Sequence, residues 1–243
     1  MIRFDNVKAY IEKFRTHTRE MGEDDAVKHH VGGIETYYRI GALEKRILEK
    51  LNGIDDLYLI DLGCGSGRLA QTLVDRAGLR LLGIDVVPDL IKYCRRTLRS
   101  DWRFEVAKDF TIPEKDGVAD CVTAFSLFTH LLHEESFTYL MDIRRVLKSS
   151  GRLICSFLEY EEPNHRTLFL QAVKSVAADR PLIVFTEKNC LSFWANELGF
   201  EVERFISAAE KFIDFPERTP LPNGEVLHGN HAFGQSICIM RKR

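Results

Sequence analysis

Apolar residues recur at helical spacing over 5–21 (Val7, Tyr10, Ile11, Phe14) and over 34–51 (Tyr38, Leu43, Ile47, Leu51). Each stretch is therefore expected to form an amphipathic helix, the first capped by Asp5 or Asn6 and the second ended by Asn52-Gly53. Between them lie Glu23-Asp24-Asp25 and His29-His30-Val31-Gly32-Gly33, which read as polar connection. From Leu57 onward, short apolar runs alternate with helical periods. Strands are expected at 57–62, 79–85, 102–106, 119–125 and 152–158, with helices at 67–77, from Pro88 through Leu98, and at 134–147; Ser149-Ser150-Gly151 reads as the turn into the fifth strand. Such alternation implies a parallel sheet with right-handed crossovers, covered on both faces. Beyond 160 the rhythm loosens: a helical stretch at 167–178, an apolar run at 181–185, a helix at 187–198 and strands at 201–207 and 235–240. Pro216, Pro220, Pro222, Gly224 and Gly229 make 208–233 read as a long loop.

The first strand runs directly into Asp61-Leu62-Gly63-Cys64-Gly65-Ser66-Gly67-Arg68. Three glycines in five positions are too dense for an ordinary turn; they suit backbone that takes positive φ or approaches a ligand closely. Asp61, Asp85 and Asp109 end the first three strands, and Asp85 follows Gly63 by 22 residues. An acid about 20 residues after such a loop is placed to accept the hydroxyls of a ribose. One acid after a strand is commonly a helix cap, but three beside a triple-glycine turn point to a nucleotide-type cofactor. A dinucleotide is disfavoured because the sixth fingerprint position is Arg68, not Gly or Ala. A phosphate-binding P-loop is disfavoured because Arg68-Leu69 stands where Lys and Ser/Thr are needed.

These residues resemble the D-x-G-x-G-x-G motif of class I S-adenosylmethionine-dependent methyltransferases. The resemblance extends through Gly83-Ile84-Asp85, Ala107-Lys108-Asp109, the 125–131 segment Phe-Ser-Leu-Phe-Thr-His-Leu and the 144–151 segment, and so covers about 40–160. It departs at Ser149-Ser150-Gly151, where the family usually has Pro-Gly-Gly. The resemblance implies an α/β, Rossmann-like three-layer sandwich: a seven-stranded, mostly parallel sheet with an antiparallel last strand, plus an N-terminal helical cap. It implies S-adenosyl-L-methionine as cofactor, with Asp61, Gly63, Cys64, Gly65 and Gly67 around its methionine end. Asp85 and Val86 would meet the ribose, Asp109 and Phe110 the adenine, and Phe125 and Ser126 the reacting methyl. The chain is then a single domain over 1–243, with a cap at 1–40, a cofactor-binding core at 41–160 and acceptor-side insertions at 160–186 and 208–233.

Methyl transfer to a hydroxyl needs a base, and histidine is the side chain best matched to that task near neutrality. His130 and His133 follow the fourth strand and are the catalytic candidates; each would otherwise cap or pack the next helix. His29, His30, Tyr37, Tyr38, Glu159 and Tyr160 are acceptor-side candidates. His228 and His231 lie in a loop without further ligands, so no metal is expected. The segment after strand four lacks the Asn/Asp-Pro-Pro-Tyr/Phe of exocyclic-amine methyltransferases. It is similar to bacterial enzymes that methylate small metabolites or the sugars of surface polysaccharides. The expected reaction is O-methylation of a small molecule or glycan. The alternatives are N-methylation of a small metabolite, a non-catalytic S-adenosylmethionine-binding protein and an NAD(P)-dependent oxidoreductase.

A net charge of −2 offers no basic field for nucleic acid, and none is expected as partner. Hydrophobic residues make up 45% and charged residues 29%, which is ordinary for a soluble domain. Six scattered cysteines without a C-x-x-C pair suit a reduced, cytoplasmic protein. No apolar run has the length of a signal peptide or membrane span.

Overall fold

All five positions of β1 (Tyr58–Leu62) are buried, as an apolar strand with neighbours on both edges and helices on both faces must be. A computed structural model of the chain describes residues 5–174 and 182–243. β1 pairs in parallel with β2 (Arg80–Asp85) and β4 (Ala119–Ala124), and β3 (Arg103–Val106) and β5 (Leu147–Phe157) extend the sheet on either side. β9 (Ser236–Lys242) enters between β5 and β6 (Phe200–Ile206) and runs antiparallel to both. The order is β3-β2-β1-β4-β5-β9-β6; the seven strands with one antiparallel member are those the resemblance implies.

Alternate residues of each strand feed two cores. Ile60, Leu82, Val122, Leu153 and Met240 face α6 (His133–Val146) and α8 (Lys188–Glu197). Leu59, Leu81, Cys121, Ile154 and Ile239 face α3 (Tyr37–Asn52), α4 (Arg68–Gln71) and α5 (Pro88–Thr97). Each such aliphatic side chain contributes about 1.5–3 kcal/mol by leaving water. A third, smaller core joins Phe14 of α1 (Asp5–Met21) and Ala26 and Val27 of α2 (Glu23–His30) to Leu90 and Tyr93 of α5. The N-terminal helices therefore lie beside the end of β2, not on the sheet. α7 (Pro163–Lys174) follows β5.

The structure corrects several expectations. The polar run after Met21 is the helix α2: its acids fill the first turn and Lys28, His29 and His30 the last, which suits the helix dipole. Only Ala26 and Val27 are buried there, too few apolar positions to show a period. The helix expected at 67–77 stops at Gln71, after which Leu73 N–H bonds to Ala70 O and Arg76 N–H to Leu73 O in tight turns. β5 begins at Leu147, and the Ser149-Ser150-Gly151 turn is a bulge inside it, where Ser150 takes φ 64°. The apolar run expected from 181 carries no regular secondary structure from Leu182 on; Pro181 and the end of the 167–178 helix lie outside the described residues.

The largest correction concerns 208–233. This segment is an antiparallel hairpin of β7 (Ile213–Pro220) and β8 (Val226–His231). The register skips between Phe215 and Thr219, which places Pro216 where no ladder N–H is required. Ile213, Phe215 and Leu227 are buried against the α3 face. Asp214 binds Arg46 at 3.1 Å and Lys50 at 2.9 Å. Among the described residues, no helix is long and apolar enough to cross a membrane.

Candidate functional site

Where β1 ends, Gly63 and Cys64 both donate backbone N–H to Ile84 O, at 2.8 and 3.0 Å, and the loop is held against β2. Gly65 takes φ 55°, a conformation that side chains oppose, and a Cβ there would sit 2.5 Å from Val31 Cγ1. The Asp85 carboxylate completes the loop: Oδ2 accepts Gly65 N–H at 2.9 Å and Oδ1 accepts Val87 N–H at 2.9 Å. Burial raises the pKa of Asp85, while backbone N–H bonds act against that rise.

Beneath the loop, Asp61 is buried and accepts Thr123 Oγ1–H at 2.8 Å. Burial, reinforced by the nearby Glu44 carboxylate, pushes the Asp61 pKa up to about 7. Arg68, at the start of α4, turns back toward α3: its Nε donates to Glu44 Oε2 at 3.1 Å, and a second guanidinium nitrogen reaches Glu44 Oε1. Its remaining nitrogen donates to Val31 O, which ties the loop after α2 to the glycine turn.

A cavity of about 650 Å³ opens over this loop. Asp61, Gly63, Cys64, Gly65, Asp85 and Val86 form its floor, and Phe110, Phe125, Ser126 and His130 form a side. His29 and His30 of α2 reach it from above. Phe110 packs edge-on against Tyr139, ring centroids 5.0 Å apart. The Cys64 thiol is no nucleophile: a hydrogen bond with Cys94 and burial push its pKa up.

Ser126, just past β4, is held at φ 58° without being glycine. Its N–H donates to Ser156 Oγ at 2.7 Å and its hydroxyl to Gln235 Oε1 at 3.2 Å. Ser156 Oγ, fully buried, donates to the same Gln235 oxygen at 2.6 Å. A backbone strained by roughly 1–3 kcal/mol and held by two partners is characteristic of a working site. His130 Nδ1 lies 2.7 Å from Leu182 O. A carbonyl only accepts, so Nδ1 carries the proton and Nε2 the lone pair of the neutral ring. Burial lowers the pKa of His130, and the bond to Leu182 opposes that.

The other residues singled out from the sequence lie off this cavity. Gly67 faces α5, where a Cβ would meet Leu98 Cδ1 at 2.5 Å. Asp109 Oδ1 accepts Thr111 N–H at 2.9 Å and shapes a turn, leaving Phe110 on the cavity wall. His133 Nε2 is 3.1 Å from Phe185 O, and its ring packs on Trp194. Tyr37 is buried; its hydroxyl meets Ser66 Oγ at 3.1 Å and accepts from Gln71 at 2.8 Å, bracing the glycine turn from behind. Tyr38 lines a separate cavity of about 470 Å³ between α3 and the β7–β8 hairpin. Glu159 is buried, binding Lys188 at 2.9 Å and accepting from Ser236, and Tyr160 stacks on Phe185. His231 Nδ1 accepts from Arg39 and Nε2 donates to His228 O. No group of three or more His, Cys, Asp or Glu among the described residues is placed to hold a metal.

Lys13, His17, Glu44, Glu135, Tyr139 and Gln235 also line the main cavity. None belongs to a motif, and they come from elements far apart in the chain. No local signal marks them.

Residues 60–155 match the family model described as a methyltransferase domain. The chain is 26% identical over 213 residues to a ubiquinone biosynthesis O-methyltransferase of Methylococcus capsulatus, covering 82% of this chain and 84% of that protein. It is 29% identical over 105 residues to a protein of the same name from Xanthomonas oryzae, covering 41% of this chain and 42% of the relative. The match to the Xanthomonas proteins thus spans about two fifths of their length. Magnesium protoporphyrin IX methyltransferase from Synechocystis, solved with bound S-adenosylhomocysteine, superposes with a TM-score of 0.64 at 16% identity, covering 98% of this chain and 100% of that one. A putative methyltransferase in complex with the Haloferax volcanii Trm112 activator superposes with a TM-score of 0.62 at 20% identity, covering 97% of this chain and 96% of that one. Residues 60–155 thus carry a methyltransferase domain, set in the fold that the chain shares with these solved methyltransferases.

Proposed function

We propose that this protein transfers a methyl group from S-adenosylmethionine to a hydroxyl oxygen of a small molecule or a glycan sugar, with His130 receiving the proton. The carrying observation is the Asp85 carboxylate, set at the end of β2, bonded to Gly65 N–H and facing the cavity over the glycine loop.

The residues present fit the cofactor. Its positive sulfonium and ammonium suit a floor that carries Asp61 and Asp85, and it has no phosphate to demand a lysine. Gly63 and Gly65 both take positive φ and line the cavity with backbone, packed under Leu127 and Val31. When bound, S-adenosylmethionine supplies an already activated methyl carbon, so much of the rate comes from alignment of the acceptor oxygen. Asp85 holds paired hydroxyls, and Phe110 against Tyr139 offers a flat apolar wall. Ser126 and Gln235 fix the edge of the cavity that receives the acceptor. His130, its Nδ1 proton held by Leu182 O and its lone pair on Nε2, takes the hydroxyl proton as the oxygen attacks. The N-terminal helices serve as a lid, a reading supported by the approach of Val31 to Gly65 and its tie to Arg68. The names of the curated relatives support oxygen as the methylated atom.

Calorimetric titration with S-adenosylmethionine tests the cofactor half. Wild type is expected to bind, and Asp85→Asn at least tenfold more weakly, beyond what its loss of one backbone N–H acceptor costs in thermal unfolding; equal binding overturns the assignment of Asp85. Release of S-adenosylhomocysteine against a panel of phenols, catechols and sugars tests the transfer half. His130→Ala is expected to lower the rate about 10²–10⁴-fold, and an unchanged rate removes His130 from the reaction.

A further inference from the structure

The cavity carries charge of both signs. Asp61 and Asp85 line it at the glycine loop. Lys13 and His17 from α1, His29 and His30 from α2, and His130 from the turn after β4 line it as well, and they act on one another electrostatically around His30. Three separate elements thus bring five cation-capable side chains to one wall. Two carboxylates that line the cavity are already engaged: Glu44 is paired with Arg68, and Glu135 Oε2 accepts Leu132 N–H at 2.8 Å to cap α6; Glu20 on α1 acts on His17.

Such a wall is unfavourable unless something negative meets it. The His17 and His29 rings stand 4.5 Å apart, a separation at which two protonated imidazoles repel. Burial, joined by the neighbouring His17, Lys13, His29 and His130, holds the His30 pKa down to about 4. His17 Nδ1 is buried and has no hydrogen-bond partner among the described residues, a deficit that a bound oxygen removes. A metal is not the missing partner, because no set of three ligands is assembled among the described residues. Gln235 adds donors of the same kind. Its Oε1 already accepts from Ser126 and Ser156, so the amide N–H pair is what it has left to offer the cavity.

We propose that the wall built from Lys13, His17, His29 and His30 binds an anionic group, a carboxylate or phosphate, carried by the methyl acceptor. The proposal rests on the methyltransferase reading and narrows its acceptor to a hydroxylated acid. Lys13 supplies the fixed charge, and the imidazoles supply N–H donors. The acceptor's hydroxyl then points toward the floor and His130, with its charged end at the lid. Uncharged analogues of the same shape lose the charge-assisted bonds and bind more weakly.

The same chemistry is present in the carboxylate of S-adenosylmethionine itself, so the test separates the two sources. Inorganic phosphate, and then benzoate against benzamide, are titrated into protein saturated with S-adenosylhomocysteine, with sodium chloride at matched ionic strength as reference. Imidazole ¹H–¹⁵N spectra and calorimetry report binding. The expected result is saturable shifts of the His17, His29 and His30 resonances with phosphate and benzoate, and none with benzamide or chloride. Lys13→Met is expected to weaken phosphate at least fivefold while leaving the S-adenosylhomocysteine affinity within twofold. Should that variant fail to fold, His29→Asn is expected to weaken phosphate at least threefold. Phosphate binding that occurs only in free protein and is displaced by S-adenosylhomocysteine assigns the wall to the cofactor's carboxylate and overturns the proposal. Equal response to benzoate and benzamide also overturns it. Failure of S-adenosylhomocysteine to bind, with phosphate shifts intact, is a different outcome: the anion site stands and the cofactor reading falls.

Discussion

Arg68 and Glu44 form an ion pair whose side chains are only 11% and 2% exposed, and the same guanidinium holds the carbonyl of Val31. One side chain thus joins α3, the glycine turn and the loop after α2. Removing one member of a buried pair strands the other charge, at a cost of about 3–5 kcal/mol. Arg68→Met is therefore expected to lower the urea midpoint strongly. Arg68→Lys is expected to recover only part of the loss, because a single ammonium cannot reach both Glu44 oxygens and Val31 O together. A midpoint for Arg68→Met within 1 kcal/mol of wild type, about the worth of an exposed pair, shows that the pair carries little.

Asp61 makes stability depend on pH. Its folded pKa of about 7 lies above the ordinary 3.8, so the folded state keeps its proton over a range in which the unfolded state has lost it. The stabilising effect is complete below pH 3.8 and fades as pH rises through 7. The slope contributed by one such group is at most about 1.4 kcal/mol per pH unit. The difference between wild type and Asp61→Asn in urea unfolding is expected to move in favour of the variant between pH 4 and 7 and to level off above. A difference independent of pH contradicts the raised pKa.

Gly65 and Gly67 separate ligand approach from packing. A methyl at Gly67 meets Leu98 Cδ1 at 2.5 Å and Cys94 Sγ at 3.2 Å, away from the cavity. Gly67→Ala is expected to cost about 1–3 kcal/mol through the strained φ and overpacking. A methyl at Gly65 meets Val31, in the loop after α2, instead. Gly65→Ala is expected to lose S-adenosylmethionine affinity by more than its loss of stability accounts for. Calorimetry paired with thermal unfolding distinguishes them, and identical profiles for the two variants refute the distinction.

Ser156 holds the strained Ser126 in place. Ser156→Ala leaves Ser126 N–H without its acceptor and Gln235 Oε1 without one donor, a loss of about 1–3 kcal/mol for a buried group. Hydrogen exchange at Ser126 N–H is expected to accelerate in this variant. Unchanged exchange and stability show that the turn is set by its neighbours alone.

The strands of the sheet core and the placing of Asp61, Asp85 and the glycine loop were legible because each rests on local chemistry. Apolar runs of strand length, helical periods between them and glycines at positive φ are properties of neighbouring residues. Asp109 was read as a site residue on the same local logic, yet it caps its own turn and Phe110 faces the cavity. A strand's last acid and the residue after it point in different directions, and only the turn geometry decides which of them meets a ligand. His130 and His133 are similarly alike on paper. A three-residue 3-10 turn (Phe128–His130) puts His130 on the cavity and leaves His133 against Phe185 and Trp194.

The hairpin at 213–231 was hidden because its prolines read as breakers, whereas Pro216 sits in a bulge, Pro220 ends β7 and Pro222 lies in the turn. The cation-capable wall was hidden for a different reason. His29 and His30 were noticed as a pair, but Lys13, His17, His130 and Gln235 join them only when α1, α2, β4 and β9 converge. By itself, the sequence determined the fold and the floor of the site, where hydrogen bonds and strand periods act between near neighbours. Tertiary structure alone decided the roof, because charge and shape at a cavity depend on which distant side chains meet there.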